Sequence, residues 1–330
     1  MNLTTRYLGL TLKNPLVASA SPLTLELANI RALEDHGAAA VVLPSIFEEQ
    51  IEQETEQIEF FTANGAESNA EVLSYFPRTD VFLTGTQPYL EIIYAAREAV
   101  DIPVIASLNG VTSAGWNGYA RELEQAGASA IELNVFFIPA DPTEVGAQVE
   151  HRYLEALRAV KAAVSVPVAM KLSPYFSATG AMVRELDTAG ADGFVLFNRF
   201  YQPDIDLSML RLLRDLQLST PGEIRLPLLW IALLSGRIRA SLAATTGVET
   251  EEQVIKYLLA GADVVMTTSA LLRHGVGHMR TLLDGLSHWL DAREANLSDI
   301  RGRMSQRRVK DPNAFERMNY IRILQGFPAR

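Results

Sequence analysis

The 330-residue chain contains no cysteine. That excludes disulfides, thiolate metal sites, cysteine nucleophiles and iron–sulfur ligation within the chain. It also lacks a basic excess. Against 39 acidic side chains there are 29 basic ones, a net charge of −10, which argues against a surface for nucleic acid or anionic membrane. The opening residues, MNLTTRYLGL, show no basic segment followed by a long apolar run. Neither a signal peptide nor a spanning helix is expected, and a cytoplasmic protein is the default. No G-x-G-x-x-G follows the first strand-like run, and no linker divides the chain. What is present is apolar material, 48% of the residues, ample for a sizeable core.

That material falls into short runs alternating with helical periodicity. Strands are expected over 14–20, 38–45, 101–110, 128–136, 166–176, 193–198, 241–247 and 263–270. The junctions repeat: HGA at 36–38 and AGA at 126–128, 189–191 and 260–262 lead into the even-numbered strands, while NPLV, IPVI and VPVA lead into the first, third and fifth. Glycine there stops a helix, and its small neighbours let helix and sheet meet closely. Eight alternating units predict an α/β protein, a (β/α)8 TIM barrel, with a doubly wound open sheet as the alternative. The expected organisation is one domain, 1–330, with 291–330 as a C-terminal helical extension and long insertions after strands 2, 4 and 6. Those insertions share the C-terminal mouth. The segment 199–225 reads as irregular, and 305–310 (SQRRVK) as a solvated turn.

Polar residues at strand ends mark the candidate site. Lys171 sits near the end of the fifth strand, where a buried ammonium needs an anionic or electron-rich partner. Glu132, two residues before Asn134 on the fourth strand, is the structural candidate for that partner. Ser19, Ser45, Asn109, Asn134 and Asn198 occupy other strand ends. Three asparagines in apolar strands suggest a planar, hydrogen-bonding ligand. After the seventh strand, Gly247 precedes a helix with Thr250 as N-cap, and the eighth strand ends in Thr268 and Ser269. In barrels these last two loops commonly bind phosphate through backbone N–H groups.

The stretches NPLVASAS, IELN, VAMKLSPYF, LFN and TTGVETEEQVIKYLLAGADVVMTTSALL, in that order, resemble the dihydroorotate dehydrogenase family of FMN-dependent barrels over about residues 1–290. The resemblance implies FMN as cofactor. Lys171 would face the pyrimidine end of the flavin, and Ala18 and Ser19 would pack near the ring. Asn109 and Asn134 would line the flavin and substrate pocket. Gly247, Thr268 and Ser269 would hold the phosphate, and Asn198 would lie on the substrate side with Asn134. Apart from the resemblance, Arg199 is a candidate to clamp a substrate carboxylate. The chain also departs from the family pattern. Phe137 stands at the family's Cys/Ser base position in NVFFIPADP, Leu43–Pro44–Ser45 replaces its second-strand T-K-S, and its N-S-x-G-x-x-N loop has no match. Replacement polar groups are Tyr75, Arg78 and Asp80, and after Asn198 also Arg199, Tyr201 and Asp204. Lys171, Tyr201 and Tyr75 are the catalytic candidates, because a tyrosine with a lowered pKa can transfer a proton.

The resulting expectation is an oxidoreductase resembling dihydroorotate dehydrogenase, the enzyme of dihydroorotate oxidation in pyrimidine biosynthesis, with a substrate that differs. The alternatives are a flavin-binding family member without dehydrogenase activity and a barrel aldolase using Lys171 as a Schiff base. The expected partner is a small-molecule substrate, with no metal, nucleic acid or membrane; a homodimer is left open.

Overall fold

Residues 1–51, 85–110, 116–199, 203–213 and 216–326 are described by a computed structural model. Eight parallel strands close into a barrel. They are β1 (Leu16–Ala18), β2 (Ala40–Phe47), β3 (Val104–Asn109), β4 (Ala130–Asn134), β5 (Val168–Leu172), β6 (Gly193–Leu196), β7 (Ser241–Ala244) and β8 (Val264–Thr267). Each pairs with its neighbours in chain order, and β8 pairs with β1. The helices following them are α1 (Leu27–Asp35), α2 (Thr86–Ala99), α3 (Trp116–Ala126), α4 (Gly146–Ala163), α5 (Thr179–Ala189), α6 (Arg225–Leu234) and α7 (Glu251–Ala260), then α8 (Ser269–His274) and α9 (His278–Asp291). The barrel read from the sequence is therefore the observed architecture.

Strand alternation divides the apolar residues between two cores. On β5, Val168, Met170 and Leu172 pack outward against the helices, while Ala169 faces the barrel interior. The repeated junction glycines, Gly37, Gly127, Gly190 and Gly261, all have φ between +98° and +122°. That left-handed conformation ends the helix and costs a β-carbon-bearing residue more than glycine. Carboxylates then fasten the turns below the strands. Glu34 accepts the N–H groups of Asp101 and Ile102, Glu124 those of Ser165 and Val166, and Asp187 those of Arg239 and Ala240.

Two features were not legible in the pattern. An antiparallel hairpin, Thr5–Tyr7 with Leu10–Leu12, plugs the N-terminal end of the barrel with Tyr7, Leu8 and Leu12 in the inner core. Each such buried apolar side chain contributes about 1.5–3 kcal/mol. Within 199–225, expected as irregular, a second hairpin pairs Asp204–Asp206 with Arg211–Leu213. Its apolar residues, Ile205, Leu207, Leu210 and Leu212, are exposed, so their spacing carries no core signal. The extension beyond α9 includes helices Leu297–Ile300 and Arg317–Gln325. It ties to the barrel through Gly302 N–H on Leu258 O (2.9 Å) and Gln306 N–H on Ala232 O (3.0 Å). Among the described residues, no helix is long and apolar enough to cross a membrane, and no cluster of three His, Asp or Glu is placed to hold a metal ion.

Candidate active site at the barrel mouth

A cavity of about 280 Å³ opens at the C-terminal ends of the strands. Its wall includes Ser19 after β1, Lys171 on β5, Asn198 and Arg199 after β6, Thr246 and Gly247 after β7, and Thr268 and Ser269 after β8. These positions lie far apart in sequence and converge because every strand points the same way.

Lys171 faces the interior because Ala169 does. Its Nζ donates to Glu132 Oε1 at 3.2 Å, and the Glu132 side chain is only 1% exposed. Glu132 Oε2 is buried with no hydrogen-bond partner among the described residues. An ammonium carries three donors, so Lys171 can serve both Glu132 below and a group in the cavity above. Burial, with the nearby Glu132 carboxylate as the second cause, pushes the Tyr7 phenol well up. Glu132 thus lies buried between the hairpin plug and Lys171, with which it pairs.

Asn134 and Asn198 meet: Asn198 Nδ2 donates to Asn134 Oδ1 at 2.7 Å. Asn198 lines the cavity and Asn134 supports it from the buried side. Arg199 also reaches the wall, but its Nε donates to Glu223 Oε1 at 2.9 Å, and Glu223 caps Thr220. Arg199 therefore ties the sixth loop to the barrel through Nε, and among the described residues its terminal nitrogens make no hydrogen bond. A neighbouring cavity of about 330 Å³ shares Asn198, Arg199 and Thr246 and is bounded by Tyr175.

The last two strand ends are joined by a residue that sequence reasoning missed. Ser219 Oγ donates to Ser269 Oγ (2.9 Å) and accepts the Gly247 N–H (3.2 Å), while Ser219 N–H donates to Ser269 Oγ (3.1 Å). Arg273 on α8 clamps this segment by donating to the carbonyl of Ser219 at 2.8 Å. Thr268 Oγ1 donates to Ser19 O at 3.0 Å. Ser219 lies in a stretch with no periodicity, so nothing in the pattern singles it out. Thr250 caps α7 as expected, accepting the Glu252 N–H.

Thr246 and Gly247 both have left-handed backbones, φ +81° and +72°. Such strain in a β-branched residue needs external support. Tyr257 supplies it, its hydroxyl lying 2.8 Å from Thr246 O and 3.1 Å from Thr245 O. A Cβ on Gly247 would stand 2.7 Å from Thr220 O and 2.8 Å from Ile224 Cγ2. Glycine is thus demanded by the packed 219–224 segment, in addition to any demand from a ligand. Gly247→Ala should destabilise the protein by about 2–4 kcal/mol through strain and overpacking. Gly9→Ala in the turn of the plug hairpin, with φ +76° but open space around its Cβ, should cost about 1 kcal/mol. Thermal unfolding of the two variants tests this; equal losses would show that packing against Thr220 is irrelevant.

The other expected residues divide as follows. Ala18 turns its methyl into the outer layer between sheet and helices, away from the cavity. Asn109 ends β3 half-buried, paired in register with Asn134. Tyr75, Arg78, Asp80 and Tyr201 lie outside the described residues. Phe137 packs under Arg152, whose guanidinium carbon is 4.1 Å from the ring centroid. At the second strand, the pairing of β2 with β3 shifts between Val42 and Ser45, around Pro44, and Ser45 Oγ bonds Ser107 Oγ at 2.8 Å. A proline has no N–H for the ladder, which suits an irregularity there.

No protein-family model matches the chain. Curated relatives do. The catalytic subunit of dihydroorotate dehydrogenase B (NAD(+)) from Shouchella clausii is 30% identical over 66% of this chain and 73% of its own length. The chain belongs to the dihydroorotate dehydrogenase family. The dihydroorotate dehydrogenase B (NAD(+)) catalytic subunit of Methanocella arvoryzae is 27% identical over 94% of this chain and all of its own length. Dihydroorotate dehydrogenase A (fumarate) of Lacticaseibacillus paracasei is 30% identical over 59% of this chain and 67% of its own. Relatives named for NAD(+) and for fumarate thus both match this chain.

Proposed function

We propose that the chain is an FMN-dependent oxidoreductase acting on a small molecule other than dihydroorotate. The supporting observation is Lys171, held on Glu132 and lining a mouth cavity whose far wall is the Thr246–Gly247 and Thr268–Ser269 turns. A cation at one end and a polar turn cluster at the other suit a ligand with an electron-accepting ring and a phosphate. FMN, when bound, would supply a hydride acceptor. Lys171 would set positive charge against the ring where negative charge develops. Gly247, Thr268 and Ser269 would hold the phosphate end, with Ser219 fixing Ser269 and Gly247 relative to each other, and Ser19 would lie near the ring. The Asn134–Asn198 pair would orient substrate, since Asn198 retains one N–H and its carbonyl after bonding Asn134. The terminal nitrogens of Arg199 would take a substrate carboxylate. Phe137 cannot accept a proton, and Tyr201 or Tyr75 is the proposed proton acceptor.

An amine donating to a buried carboxylate is a poor Schiff-base nucleophile, which weighs against the aldolase reading. The test is the visible spectrum of the purified protein. Bands near about 370 and 450 nm, with FMN released on denaturation, are expected. Release of FAD, or no flavin uptake on reconstitution with excess FMN, would overturn the proposal.

A further inference from the structure

The largest cavity described lies at the other end of the barrel. It measures about 590 Å³, and five arginines border it: Arg6 of the plug hairpin, Arg239 at the entry to β7, and Arg301, Arg307 and Arg308 of the C-terminal extension. Such a concentration runs against the chain's net charge of −10. One carboxylate, Asp263, lines the same cavity, and it is already engaged. Its Oδ2 accepts the Leu242 N–H at 2.8 Å and its Oδ1 meets Arg301. Burial also pushes the Asp263 carboxyl upward.

The remaining guanidiniums find no neutralising group within the cavity. Arg239 is 80% exposed and sits 3.6 Å from Asp187, which is outside the lining. Arg307 and Arg308 donate to the backbone carbonyls of Gly236 and Arg301, which satisfy hydrogen bonds but not charge. The Arg6 side chain is exposed, with no hydrogen bond or ion pair among the described residues. The run at 305–310 is a turn with Arg307 and Arg308 exposed, as read from the sequence, and those two arginines border the same cavity as Arg6 and Arg239. Ser235 and Ser241 add hydroxyls to the wall.

We propose that this cavity binds a small, multiply charged phosphate compound. The volume falls in the range of small-molecule sites. Planar guanidinium forks match phosphate oxygens two at a time, and several uncompensated cations call for several negative charges on one ligand. A single carboxylate would leave most of them unbalanced. A nucleic-acid strand would need a continuous basic stripe, and the overall negative charge opposes it. The site is independent of the flavin reading: it is built from the hairpin, the β7 and β8 entries and the C-terminal extension, none of which the mouth uses.

Calorimetric titration of the purified protein, with FMN added to saturation, tests this using inorganic tripolyphosphate, ATP and orthophosphate. Saturable binding is expected, weakest for orthophosphate. Equal affinity for tripolyphosphate and ATP identifies a phosphate-chain site, and tighter ATP binding a nucleotide site. Arg6→Gln and Arg239→Gln should each weaken binding about tenfold or more, and the double variant about a hundredfold. Arg6 has no partner to lose, so that variant keeps the fold, which thermal unfolding verifies. Wild-type affinity in the double variant, or no saturable binding at about 1 mM of any probe, overturns the proposal.

Discussion

Lys171→Met is expected to lower the unfolding free energy by about 3–5 kcal/mol, the usual cost of stranding one member of a buried ion pair. The argument rests on Glu132. Its side chain is 1% exposed, its Oε1 relies on Lys171, and its Oε2 has no partner among the described residues. Methionine keeps the length and apolar stem of lysine, so packing changes little and the loss reports charge. The double variant Lys171→Met/Glu132→Gln removes both charges and should recover most of the stability. Denaturant unfolding of the four members of this cycle measures the coupling. A loss below about 1 kcal/mol in Lys171→Met, the range of exposed pairs, would mean that water reaches Glu132 and the pair is not sealed. In flavin-loaded protein, Lys171→Met should also lower the flavin's reduction potential, whereas an unchanged potential would reduce Lys171 to a structural role.

That pair also illustrates what the sequence makes legible. Barrel strands are apolar on both faces, so their alternation is silent about which side chain faces inward. Where a charge interrupts the run, parity becomes readable: Lys171 and Glu132 could be matched before any coordinates. On β1, by contrast, Leu16, Val17 and Ala18 are all apolar, and nothing in them says that Val17 faces inward and Ala18 outward. The AGA and HGA junctions were legible because a left-handed turn leaves glycine as its mark. The hairpin plug was not, because two three-residue strands are shorter than the pattern needed to recognise them. Ser219 escaped for another reason. Its role comes from tertiary contact with Gly247 and Ser269, 28 and 50 residues away.

Purified, flavin-loaded protein is expected to oxidise dihydroorotate about 10²–10⁴-fold more slowly than an enzyme retaining its general base. The reaction needs a group on the C5 proton while hydride leaves C6. In the proposed reading Phe137 takes the place of the family's Cys or Ser base, and it lies half-buried beneath Arg152. In the same reading Pro44 takes the place of the family's second-strand lysine, and it lies within the shifted β2–β3 pairing. Phe137→Cys should therefore not restore ordinary turnover, and it forfeits the Arg152 contact, worth about 0.5–1 kcal/mol. Steady-state assays with dihydroorotate against quinone, fumarate and NAD decide the matter. Turnover at ordinary enzymatic rates, about 1–10³ s⁻¹, would mean that another side chain has taken over the proton. Tyr75→Phe and Tyr201→Phe would then separate the two candidates, because the true acceptor's variant should lose about 10²–10⁴-fold in kcat while the other keeps it.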